Sequence, residues 1–216
     1  MTMYRKFAAV GLSAALFSGC AGHQTISSND LNGIKKVYLI TDSAQVKLDY
    51  QGPSVSWGMV IGGAIGGLIA SQDTVKETDA IGAFLEQENI QLVAHVRAKL
   101  IEDLQDGTTR LQLVDNYEDS DARLFLDVVT VTFHTSNPLT TSVEPLIVVE
   151  GSLVPNGGRA IWEGENKTTL YSIDTDKGRS LPEWFVEPDV ARKALLQTAD
   201  IAVEGLMADY ASALGN

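Results

Sequence analysis

Reactive side chains are few in this chain, and the first of them is a thiol: Cys20 is its single cysteine. A lone cysteine forms no internal disulfide, and a free thiol is an unusual group to keep in an oxidising compartment. Zinc chemistry finds no support, because His23, His95 and His134 fit neither the HxxxH nor the HExxH spacing. They read as solvated or core histidines. Carboxylates gather in "DNYEDSD" (115–121) and "DTDKG" (174–178), the second of which begins like a calcium loop. Neither completes the loop's ligand pattern, so both read as acidic loops. There is no GxSxG, no second cysteine for nucleophilic work and no paired-Glu motif. No catalytic residue, metal or cofactor is expected.

The second feature is "WGMVIGGAIGGLIAS" (57–71), an uncharged run inside a chain of net charge −12. A phosphate-binding loop needs Lys and Ser/Thr after its last glycine, but here Gly62 and Gly67 are followed by Leu68 and Ile69. No register gives the GxGxxG of a dinucleotide site. What fits is Gly58, Gly62 and Gly66 at spacings of four, which on a helix share one face and admit a second backbone. Val60, Ile61, Ile65, Leu68 and Ile69 remain for lipid or for a core. As a helix, residues 57–70 would measure about 21 Å against a hydrocarbon core of about 30 Å, too short to span. Each glycine also costs a helix about 1 kcal/mol relative to Ala, so packing or lipid must compensate. Three readings stand: an interfacial or re-entrant membrane segment with Trp57 at its edge, a self-association seam, and a buried glycine-rich connection. The residues expected to meet membrane or a second copy are Trp57, Gly58, Gly62, Ile65, Gly66 and Leu68.

The segment that carries Cys20 reads as an export signal. Arg5 and Lys6 form a positive n-region, Phe7 to Phe17 an apolar h-region too short to span, and the small residues Ser18 and Gly19 precede the cysteine. This resembles a bacterial lipoprotein signal, in which the cysteine sulfur receives a diacylglyceryl group. One position departs from the pattern, since Leu16 lies four before the cysteine and Phe17 takes the usual Leu place. Gly19 and Ala21 would also suit an ordinary signal cut after Ala21, but thioether attachment accounts for the solitary thiol. The resemblance implies lipidation at Cys20 and, with Ala21 rather than Asp following, sorting to the outer membrane. Two or three acyl chains exceed the single chain that anchors only marginally. On this reading residues 1–19 are a signal peptide, 20–32 a polar lipid-anchored tether reaching at most roughly 40 Å, and 33–216 a periplasmic domain.

That domain alternates strand and helix signals. "KKVYLIT" is a strand with Val37, Leu39 and Thr41 on one face and Tyr38 and Ile40 on the other, expected to be buried on both. "NIQLVAHVRAKLIEDLQDG" is a helix with a Val93, Val96, Leu100, Leu104 stripe and Gly107 placed as its cap. "RLQLVD" is a short strand. In "ARLFLDVVTVTFHT" the apolar face moves from Leu124, Leu126 and Val128 to Val129, Val131 and Phe133, the mark of a bulge or of a strand covered on both faces. Asn156-Gly157 turns a hairpin between two β-rich runs. Pro188 opens a last helix with a stripe of Leu195, Ala199, Ala202, Leu206 and Tyr210. The predicted fold is α/β: one domain with a mixed sheet, two main helices and a glycine-rich apolar insertion.

In this order, "HVRAKLIEDLQDGTTRLQLVD", "SDARLFLDVVTVTF" and "VVEGSLVPNGGRAIWEGENKTT" before an amphipathic helix resemble the α/β periplasmic domain of the curli-secretion and penicillin-binding-protein-activator lipoproteins. The glycine-rich block ahead of the first long helix is more similar to glycine-zipper lipoproteins of Gram-negative bacteria, families of unassigned activity. The resemblance covers residues 34–213 and implies fold and compartment, with no catalytic residue.

Charge narrows the partners. Acidic residues number 28 against 16 basic ones, which disfavours nucleic acid and anionic headgroups alike, so membrane contact rests on apolar insertion or lipid. The function expected is a lipid-anchored interaction or assembly module at the cell envelope, not an enzyme. Its partners are membrane lipid through Cys20, an envelope protein and a possible second copy. The alternative is a membrane-active oligomer packed through the glycine-rich segment.

Overall fold

One long strand organises the sheet. In the computed structural model, which describes residues 33–41, 45–55, 57, 75–106, 110–135, 139–169 and 179–213, β4 (Ala122–His134) runs through the middle. Along one edge it pairs antiparallel with β5 (Glu144–Pro155), which pairs antiparallel with β6 (Trp162–Thr169). Along its other edge two strands follow in line, both parallel to β4: β1 (Lys36–Ile40) against its first half and β2 (Gln45–Gln51) against its second. The two-residue β3 (Gln112–Leu113) lies outside β1, also parallel. The sheet is therefore mixed, as predicted.

The shift of apolar face within β4 is a bulge. Leu126 pairs with Gly151 and Val128 with Glu150, so β4 carries one residue more than β5 between them. An odd insertion in a period of two inverts the alternation, and the β4 core residues are accordingly Leu124 and Leu126, then Val129, Val131 and Phe133. The extra residue, Asp127, accepts a hydrogen bond from Ser152 Oγ at 3.1 Å.

Four helices are described: α1 (Glu77–Gln87), α2 (Leu92–Gln105), α3 (Leu181–Val186) and α4 (Pro188–Ala213). α2 and α4 are the two predicted ones, and their stripes are buried as expected, with Leu92 joining Val96, Leu100 and Leu104 while Val93 is half-buried. Gly107 lies outside the described residues. α4 covers β5 and β6, with Trp162 edge-on to Tyr210 at 5.2 Å. β1 corrects one expectation: Val37 and Leu39 are buried, but Tyr38 and Ile40 only half so. The predicted hairpin is present, with positive φ at Gly157 alone (76°) and Gly158 N–H donating to the Pro155 carbonyl. That is the pattern of a type II turn at the head of a longer loop.

Asp121, from the acidic run 115–121, stitches the start of the sheet. Its carboxylate accepts the Lys35 and Lys36 backbone N–H groups at 2.9 and 2.8 Å, while its own N–H donates to the Lys36 carbonyl. Those two donors, Lys35 first, hold the carboxyl below its ordinary range. A carboxyl whose folded pKa is depressed contributes stability above its unfolded pKa, and that contribution disappears as pH falls through the folded value. Asp121→Asn is expected to lower Tm by about 2–4 °C at pH 7, since losing charge-assisted bonds at an exposed site costs about 1 kcal/mol. Thermal melts should show the difference narrowing below pH 4.

Candidate functional site

Of the residues expected to meet membrane or a second copy, Trp57 is described; Cys20, Gly58, Gly62, Ile65, Gly66 and Leu68 lie outside the described residues. Trp57 is half-buried and stacks on Phe185 of α3, centroids 6.2 Å apart and planes at 12°. Phe185 in turn stacks on Phe84 of α1 at 4.6 Å, and Phe133 of β4 meets both Phe185 and Trp184. The entrance to the glycine-rich segment is thus built onto an aromatic cluster joining α1, α3 and β4.

Its exit is fastened at the same place. The Val55 N–H donates to Glu77 Oε1 at 3.4 Å, across 22 residues of chain, and Val55, Trp57 and Val75 all pack on the core. Tyr50 adds a further tie, its hydroxyl donating to the Pro53 carbonyl at 2.6 Å. Burial, then the nearby Glu77 carboxylate, pushes that phenol up to about 12, so Tyr50 stays a donor across the physiological range. The residues that flank 58–74, Val55 and Trp57 on one side and Val75 and Glu77 on the other, are therefore fastened at one clasped base.

Polar pairs on α2 and α4 hold those two helices together. His95 Nε2 lies 2.7 Å from Asp200 Oδ1, and Lys99 pairs with Asp103 at 2.8 Å and Glu204 at 3.3 Å, forming a seam between α2 and α4. The hydrogen bond that Lys99 Nζ donates to Asp103, with support from Glu204, holds Lys99 charged well above the usual lysine range. His134, on β4, is half-buried, and burial pulls its imidazole below the ordinary value. Among the described residues no group of three or more His, Cys, Asp or Glu side chains is placed to hold a metal ion, and no helix is long and apolar enough to cross a membrane. Residues 174–178 lie outside the described residues. An apolar groove of about 600 Å³ runs between α2 and the β1–β2 line, lined by Val46, Ile90, Leu92, Val93 and Ile101, with Arg97 its one charged residue among the described residues.

Sequence reasoning missed the clasp. Glu77 and Val55 carry no motif that pairs them, and Phe185 sits in a six-residue helix, "LPEWFV". The one signal available was Ser180-x-x-Glu183, a capping box whose Ser180 N–H donates to Glu183 Oε2 at 2.6 Å.

No protein-family model matches the chain, and no curated protein matches it. Among solved structures, the chain is similar to one described as a "putative lipoprotein" from Caulobacter crescentus CB15, at 14% identity and a TM-score of 0.36, over 58% of this chain and 84% of that one.

Proposed function

We propose that this chain is a lipid-anchored cell-envelope protein, held at Cys20 in the outer membrane and facing the periplasm. It works as an interaction or assembly module and carries out no catalysis. The observation that carries this reading is the clasped base at Val55, Trp57 and Glu77. A domain that fastens the residues on both sides of an uncharged, glycine-rich segment can offer that segment to a surface without unfolding, and an anchor at Cys20 would hold the domain within a tether's length of the bilayer. The net charge of −12 gives no attraction to anionic headgroups, so contact is made by apolar side chains such as Ile65 and Leu68.

The test uses a chain that begins at Ala21, without signal peptide or lipid, and flotation with phosphatidylcholine vesicles. The unlipidated protein is expected to float, and Ile65→Asp to reduce the bound fraction about tenfold, because a carboxylate in an apolar interface costs on the order of 1–3 kcal/mol. Gly62→Leu should leave flotation unchanged. Replacing residues 58–74 by a short Gly/Ser linker should abolish flotation while the protein still melts cooperatively. If Gly62→Leu instead dissolves an oligomer and Ile61→Leu does not, the glycines form a packing seam. A chain that neither floats nor self-associates would overturn the reading.

A further inference from the structure

Among the described residues β2 is an outermost strand. It pairs with β4 on one side, and among the described residues no strand pairs with it on the other. In a strand the backbone groups of successive residues point alternately to the two sides. The Gln51 carbonyl accepts from Thr135 N–H, at the end of β4, so Lys47, Asp49 and Gln51 turn toward β4. Val46, Leu48 and Tyr50 therefore turn outward. The Tyr50 N–H is taken by the neighbouring Asp49 carboxylate, 2.8 Å away.

The sequence of this edge, Gln45-Val46-Lys47-Leu48-Asp49-Tyr50-Gln51, is complementary to itself when reversed. An antiparallel two-fold through Leu48 sets Leu48 opposite its own copy and Val46 opposite Tyr50 of the second copy, so that all three outward-turned residues fall at hydrogen-bonding positions. The same register sets Lys47 opposite Asp49 of the second copy, twice over, on the sheet face away from the helices. Lys47 is exposed, and no ion pair to it is found among the described residues. We infer that β2 is the docking surface for a second copy of this chain, joining two sheets edge to edge in an isologous dimer. Opposite charges across a ladder and an aromatic facing a β-branched residue are the pairs that favour such a register. The partner's Lys47 would draw Asp49 away from its own Tyr50 N–H, freeing that donor for the ladder. The inference rests on β2 alone and does not depend on the lipid anchor.

The experiment is sedimentation equilibrium of the purified full chain in detergent at low salt, over a hundredfold range of concentration. Wild type is expected to dimerise, and Lys47→Glu, which sets two carboxylates face to face at both ends of the two-fold, to raise the dimer dissociation constant about tenfold or more. Lys47→Glu combined with Asp49→Lys restores opposite charges and should recover most of the loss. Circular dichroism melts of each variant show whether the monomer is intact. A monomer at all concentrations, or a dimer unmoved by Lys47→Glu in an intact fold, would overturn the inference; the second result would also be that of two chains merely sharing one micelle.

Discussion

Trp184→Ala is expected to remove about 4–6 kcal/mol of stability, a large part of the 5–15 kcal/mol that folded domains hold. α3 has six residues, too few to persist by its own backbone bonds, so its side chains must hold it. Trp184 is 1% exposed, its Nε1 donates to the Val143 carbonyl at 2.8 Å, and its ring packs against Phe133 and beneath the Arg179 guanidinium. Truncating a buried aromatic costs about 3–5 kcal/mol, and leaving a buried carbonyl unpaired about 1–3 more, partly overlapping. Trp184→Phe keeps a ring and loses the donor, so it should cost about 1–3 kcal/mol. Urea unfolding followed by far-ultraviolet circular dichroism measures both. Because Phe185 and Trp57 stack beside this residue, the alanine variant should also loosen the clasped base, read as protease cleavage next to Val55 and Glu77 before global unfolding. A loss below 1 kcal/mol for Trp184→Ala would mean that α3 is not fastened as described.

The elements legible in the sequence are those whose periodicity has one cause. β4 announced its bulge because a strand with one buried face must break its alternation where a residue is inserted. α2 and α4 were legible from stripes that each face one surface. β2 alternates as well, with Val46, Leu48 and Tyr50 against Lys47 and Asp49, yet its seven residues lie beside so strong a glycine signal that they passed unread. α1 was hidden by Gly82, a poor helix residue in mid-helix, and by an N-cap, Lys76, that makes no side-chain cap. The structure supplies the reason for the glycine, since a side chain there would crowd Leu48 of β2, 3.2 Å away. The clasp was illegible for a different reason: a backbone N–H at Val55 meeting a carboxylate at Glu77 is a product of tertiary packing and leaves no local pattern.

Labelling with radioactive palmitate in a Gram-negative host decides whether Cys20 carries lipid. Wild type is expected to carry label, to sediment with outer membranes and to resist extraction at high salt, because acyl chains and not the acidic surface hold it. Cys20→Ser should carry none and should appear uncleaved or free in the periplasm, since the chain has no other cysteine to accept a thioether. Its folded domain should melt at the wild-type temperature, which separates loss of the anchor from loss of structure. Label that persists in Cys20→Ser, or a wild-type protein recovered unlabelled and soluble, would contradict the lipid anchor and with it the placement of this domain at the membrane.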